Sequence, residues 1–180
     1  MNKVVMVGVV LAMPIFLWLR GSPPEELVLE SQVLSHDQQM LEIQGKLKQD
    51  PNQADLWFQL GHGYINEQDF TSALTCFDYA LRLSEQPTAS QLSAKAMVLY
   101  YLNKQQMLPA VTELLDQALA LDENNLTALS LIASDHFVSS RYQQAIEVWT
   151  RMLDSQHQDL DRVSVIHSLN QAKQLRLNRT

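Results

Sequence analysis

Ala54-Asp-Leu-Trp57-Phe-Gln-Leu60-Gly61-His-Gly-Tyr64, followed by Ala73-Leu-Thr-Cys-Phe77 and Ala80, decides the fold of this chain. Trp57, Leu60, Gly61 and Tyr64 recur at helical spacing, and so do Ala73, Phe77 and Ala80. The two runs therefore predict two amphipathic helices joined by a short turn. Gly61 and Ala73 are small where two antiparallel helices must approach closely. Trp57, Leu60, Tyr64 and Phe77 supply the volume around that crossing. Pro51 marks the end of whatever helix precedes, because proline cannot continue one.

The pattern W-x2-L-G-x2-Y followed by A-x3-F is the signature of the 34-residue tetratricopeptide repeat (TPR), counted here from Ala54. A second, degenerate copy counts from Ala89, with Leu92, Ala96 and Leu99 at the Trp, Gly and Tyr positions and Lys95 where a leucine is expected. Its second helix, ending in Leu114-Leu115 and Ala118-Leu119, arrives late, which predicts a longer turn around Asn103–Pro109. A third copy counts from Leu126, with Leu129, Ile132, Ala133, Tyr142, Ala145 and Trp149; His136 at its Tyr position reads as a core histidine. Arg162 to Leu177 carries Val163, Ile166, Leu169, Ala172 and Leu175 at helical spacing and predicts a capping helix over 162–178 with a polar outer side. The expected architecture is an all-α TPR solenoid of about three repeats plus this cap, with a TPR domain over 51–180.

Upstream, residues 4–19 run VVMVGVVLAMPIFLWL without a charge. At ~1.5 Å per residue this stretch covers about 24 Å, and Met1, Asn2 and the stem of Arg20 extend it toward a ~30 Å hydrocarbon core. A cleaved signal peptide is the rival reading, but Leu19-Arg20-Gly21-Ser22-Pro23 offers a poor cleavage site. Residues 1–20 are therefore expected to be an N-terminal transmembrane anchor. Lys3 favours a cytoplasmic N-terminus and Arg20 opposes it. In a bacterium the remainder would lie in the periplasm, tethered to the inner membrane. Residues 21–29, containing Ser-Pro-Pro-Glu-Glu, read as a spacer, and 30–50 as an amphipathic helix built on Val33, Leu34, Met40, Leu41, Ile43 and Leu47.

A formal net charge of −7 argues against a nucleic-acid partner, which needs a basic face. The one cysteine, Cys76, forms no intramolecular disulfide or CxxC pair and reads as a small buried residue. His36, His62, His136, His157 and His167 show no metal-ligand spacing, and no phosphate loop is present. The sequence thus predicts neither a catalytic set nor a metal or other cofactor. What remains is the concave face lined by the first helix of each repeat. Its expected floor comprises Phe58, His62, Ile65 and Asn66, then Met97, Tyr100 and Tyr101, then Leu131, Ser134 and Phe137. Asp55, Gln59, Ser93, Ala94, Thr127, Ser130 and Val138 complete the face. An apolar strip there suggests capture of a partner segment, with Tyr100 and Phe137 as anchors. Residues 30–48 or the capping helix could instead cover part of it.

Several runs resemble a known family. Ala96-Met-Val-Leu-Tyr-Tyr101, Asp116-Gln-Ala-Leu-Ala-Leu-Asp122, Thr127-Ala-Leu-Ser-Leu-Ile-Ala-Ser-Asp135 and Tyr142-Gln-Gln-Ala-Ile-Glu-Val-Trp149 are similar to the periplasmic TPR subunits of bacterial cytochrome c haem lyases. The resemblance spans about residues 40–178 and includes the stretched second repeat. A single apolar segment with a short spacer favours the branch serving formate-dependent (Nrf-type) nitrite reductase over the general biogenesis factor. The resemblance implies a non-catalytic adaptor that binds a C-terminal segment of an apocytochrome c and works beside the membrane subunits of the lyase. The alternative is a TPR scaffold of another bacterial envelope assembly machine.

Overall fold

The computed structural model describes residues 35–178; the expected anchor, the spacer and the start of the 30–50 helix lie outside the described residues. Eight helices follow one another: α1 (His36–Gln49), α2 (Ala54–Asn66), α3 (Phe70–Leu83), α4 (Ala89–Leu102), α5 (Pro109–Leu121), α6 (Leu126–Val138), α7 (Tyr142–Asp154) and α8 (Arg162–Leu177). Among the described residues there is no strand, and no helix is long and apolar enough to cross a membrane. The helices form the antiparallel pairs α2–α3, α4–α5 and α6–α7, with α1 packed on α2 and α8 on α7. This is a TPR-like solenoid.

Local chemistry sets the helix starts. Ser35 with Gln38 and Thr88 with Gln91 form capping boxes that satisfy otherwise unpaired N–H groups at both ends of the exchange. The side chains of Asp69, Asn125 and Asp161 accept the backbone N–H of Ser72, Ala128 and Ser164. Pro109 opens α5, where its missing N–H costs nothing. The turns within the first and third pairs reverse the chain through one left-handed residue each, Gln68 at φ 61° and Ser140 at φ 60°. The turn of the second pair is longer, as expected, and uses two, Lys104 at φ 56° and Gln105 at φ 58°.

The core runs along the solenoid as linked clusters, from Met40, Leu47 and Leu60 to Ala145, Trp149 and Leu169. The sequence reading of Gly61 holds. A Cβ there would sit 2.5 Å from Cε1 of Phe77, a ring that is wholly buried. Gly63 has the same function at another contact: a Cβ would overlap Sδ of Met40 on α1. Trp57 stacks on Tyr79 with ring centroids 4.6 Å apart and donates its indole N–H to the Pro51 carbonyl. Lys95, out of character at a core position, reaches the edge of the helix crossing and pairs with Asp78 at 2.7 Å. Cys76 is buried, and burial, with the charge of Asp69 second, pushes its thiol up to about 11.

Two expectations need correction. On α1, Leu41 points to solvent, and Met40 and Leu47 make the seat with Ile43 beside them. On α8 the buried stripe is Val165, Leu169 and Ala172, whereas Val163 is 79 % exposed and Ile166 44 %. Both stripes have helical spacing. The two share Leu169 and Ala172, so the expected face is right at its C-terminal half and rotated toward Val165 at its start.

Candidate functional site

The first helices of the three pairs do not make one continuous groove floor. They border two separate concavities. The N-terminal one, about 320 Å³, lies between α1 and α2 and is lined by His36, Gln39, Met40 and Ile43 on one side and Phe58, Gln59, His62, Gly63 and Asn66 on the other. The C-terminal one, about 550 Å³, lies between α4, α6 and the segment leading into α8. Its walls are Met97, Tyr100, Tyr101, Leu126, Leu131 and Val138. Thr127, Ser130, Ser134 and Gln105 add polar atoms, and residues 159–161 with Ser164 and Val165 close the far side.

The expected site residues divide between these places. Phe58, His62 and Asn66 border the N-terminal cavity. The Phe58 ring meets His62 edge-on at 4.6 Å, and both rings lie against Phe77. Partial burial among these rings holds the His62 imidazole below its usual pKa. Met97, Tyr100, Tyr101, Leu131 and Ser134 line the C-terminal cavity. Two residues belong to neither. Ile65 packs into the core beside Ala73, Phe77, Ala94 and Val98. Phe137 turns away toward α7, with its ring 5.7 Å from both Tyr142 and Trp149. Ser93 and Ala94, also expected on the face, are fully buried between helices.

Tyr100 is at the cavity wall but is not a free anchor, because only 3 % of it is exposed. Its hydroxyl donates to Asp135 Oδ1 at 3.2 Å. Asp135, itself 5 % exposed, receives Arg141 Nη2 on its other oxygen at 2.5 Å. Burial, then the carboxylate charge, pushes the Tyr100 phenol up to about 12, so it stays a hydrogen-bond donor. Arg141 also donates its Nε–H to His136 Nδ1 at 2.9 Å. His136 is therefore a half-buried acceptor at the end of α6, not a core residue; burial first and the Arg141 charge next lower its pKa. This Tyr–Asp–Arg–His chain ties α4 to α6 and to the turn before α7. Sequence reading did not find Asp135, although an acidic residue amid Leu-Ile-Ala-Ser was a usable signal. On α4 and α6 the exposed lining left for a partner is Tyr101, Ser130, Ser134 and Val138, with Met97 half-buried.

No group of three or more His, Cys, Asp or Glu side chains suited to a metal ion occurs among the described residues. The arrangement offers a shaped, mainly apolar depression with polar edges, which is binding chemistry.

A family model described as the cytochrome c-type biogenesis protein H TPR domain matches residues 31–163. The chain belongs to this family. Within it, 36 % identity over 137 residues links the chain to the formate-dependent nitrite reductase complex subunit NrfG of Escherichia coli O157:H7, covering 76 % of this chain and 69 % of the relative. The bifunctional subunit NrfFG of Haemophilus influenzae is 41 % identical over 128 residues, 71 % of this chain but only 33 % of that longer protein. These relatives put the chain beside the Nrf-type members of the cytochrome c-type biogenesis TPR family, as the sequence resemblance implied. The Cut9–Hcn1 hetero-tetramer structure of the APC/C superposes with a TM-score of 0.66 at 17 % identity, over 78 % of this chain and 27 % of that one. At that identity the likeness concerns the TPR fold alone.

Proposed function

We propose that this chain is a non-catalytic subunit of a haem lyase complex. It holds a C-terminal segment of an apocytochrome c, the formate-dependent nitrite reductase, in position for covalent haem attachment. The observation that carries the reading is the open apolar cavity between α4, α6 and the start of α8, present in a member of a cytochrome c biogenesis family. Haem attachment requires an unfolded client, and an unfolded chain diffuses away from a membrane enzyme unless it is held. Residues 1–20 serve in this proposal as an inner-membrane anchor, with the TPR domain in the periplasm next to the membrane subunits of the lyase. Tethering of that kind raises the local client concentration to the mM range for a short linker.

Calorimetry of the full chain in detergent, titrated with peptides from the C-terminus of the nitrite reductase, tests the proposal. Saturable binding is expected, and Ser134→Trp should remove it by filling the cavity from an exposed position. If Ser134→Trp binds the peptides as the natural chain does, the client uses another surface and the reading is wrong.

A further inference from the structure

The C-terminal cavity has an asymmetric edge. One side is apolar: Met97, Tyr101 and Val138. The opposite lip carries two carboxylates, Asp159 and Asp161, on either side of Leu160. Asp161 caps α8, accepting the Ser164 N–H at 3.1 Å and the Ser164 hydroxyl at 2.6 Å. Those bonds fix its position and favour its ionised form, while a carboxylate has further lone pairs to offer. Asp159 is 89 % exposed.

Among the described residues no lysine or arginine pairs with Asp159 or Asp161. Arg141 is committed to Asp135 at 2.5 Å. The neighbouring Arg162 donates to the Leu153 carbonyl at 3.0 Å, away from the cavity. The His157 ring lies 3.9 Å from the Asp159 carboxylate and pairs with it only when protonated; in the neutral ring Nδ1 accepts the Asp159 amide. A net negative lip thus faces an apolar wall across a space of about 550 Å³, enough for one or two large side chains.

We infer that this cavity selects a peptide segment that presents an apolar side chain to the Met97–Tyr101–Val138 wall and, within the next turn or two residues, a lysine or arginine to Asp159 and Asp161. The inference rests on the peptide-holding reading above and adds the chemistry of the segment. Charge complementarity at a rim mainly sets preference and association rate, and the apolar contact supplies most of the affinity. Rim pairs of this kind are individually weak and screened by salt.

The test uses the full chain in detergent and three synthetic peptides of one helical, leucine- and phenylalanine-bearing design, with lysines, glutamines or glutamates at the flanking positions. The lysine peptide is expected to bind about fivefold to tenfold more tightly than the glutamine peptide, and the glutamate peptide most weakly. Asp159→Asn with Asp161→Asn should remove that preference while leaving the glutamine peptide within about twofold; asparagine is as good a helix cap as aspartate, so α8 keeps its start. Salt at 0.5 M should likewise bring the three peptides together. Equal binding of the three peptides, or a preference that survives the double substitution, overturns the inference. If the peptides bind equally and Ser134→Trp still removes them, only the charge selection is lost and the peptide-holding role stands. If binding is indifferent to Ser134→Trp, both fail.

Discussion

The two concavities of this solenoid are made from the same helix positions and differ in size and lining. Near the N-terminus, α1 lies over α2 so closely that a Cβ at Gly63 would overlap Met40 Sδ. Counting from Ala54, Ala89 and Leu126, the residues equivalent to Gly63 are Val98 and Asp135. Val98 is wholly buried, and Asp135 is buried and held by Tyr100 and Arg141. One repeat position thus serves as helix contact, apolar core and polar tie in turn. At the next position toward the N-terminus stand His62, Met97 and Ser134. The first borders the smaller cavity beneath α1, and the other two border the larger one. A repeat signature specifies the pair of helices; what lies over the pair decides the size and lining of the cavity at its concave face.

The largest effects should come from the tight contacts. Gly61→Leu drives a side chain into Phe77, and Gly63→Leu drives one into Met40. Overpacking of this kind costs about 1–3 kcal/mol. Thermal unfolding followed by circular dichroism should show a lower midpoint for both. Hydrogen exchange should separate them, with Gly63→Leu releasing α1 selectively. Ser134→Trp, in the open cavity, should shift the midpoint little. If Gly63→Leu and Ser134→Trp melted alike, the contrast between the tight helix contact and the open cavity would fail.

Next is the polar tie. Asp135→Ala leaves the Tyr100 hydroxyl buried without an acceptor and frees Arg141, for a loss of about 1–3 kcal/mol. Asp135→Asn keeps one acceptor and should retain part of that stability. Urea unfolding of the two variants checks the order; equal losses would mean that the carboxylate charge, not hydrogen-bond satisfaction, carries the effect.

The fold was legible in the sequence because its signals are local. Trp57, Gly61, Tyr64, Ala73 and Phe77 lie within one repeat, Pro51 stops the helix before it, and the late arrival of Leu114 and Leu115 announces the long turn. The site was legible only in part. Met97, Tyr101 and Ser134 line the open cavity as expected. Tyr100 looked like an anchor because its partner Asp135 is one repeat away, beyond any local pattern. Phe137 looked exposed because its burial depends on the angle at which Tyr142 and Trp149 return across α6. On α8 Leu169 and Ala172 are buried as expected, but Val163 and Ile166 are not: all four have the right period, and rotation about the helix axis is set by α7. The fate of residues 1–34 lies outside the described residues, so the anchor stands on sequence alone.

These corrections move the expected binding anchor from Tyr100 and Phe137 to Tyr101. Tyr101 is 42 % exposed and stacks on Phe70 with centroids 5.1 Å apart, so it is held ready on the cavity edge. Tyr101→Ala should weaken peptide binding about tenfold, near 1.4 kcal/mol, with little change in helicity. Phe137→Ala should do the reverse, lowering the melting temperature while sparing affinity. Calorimetry and thermal melts on both variants decide it; loss of binding in Phe137→Ala without loss of stability would restore that ring to the groove.

The smallest effect expected is that of pH, and its sign follows from burial. His62 and His136 both have folded-state pKa values below the ordinary imidazole value of 6.5, each chiefly through desolvation. Between the folded and unfolded values the unfolded chain binds more protons, so stability falls as pH drops from about 6.5 through the folded pKa values and then levels off. His62 belongs to the N-terminal cavity and His136 to the tie behind the C-terminal one. His62→Gln should therefore remove the part of this slope that belongs to the α1–α2 end, seen as a smaller midpoint change between pH 7 and pH 5. The effect is modest because both rings retain some solvent contact. It should act on folding alone: peptide affinity at the open cavity should be the same in His62→Gln and the natural chain across that range. A change in affinity would mean that the two concavities communicate, and the contrast drawn between them would no longer describe independent regions.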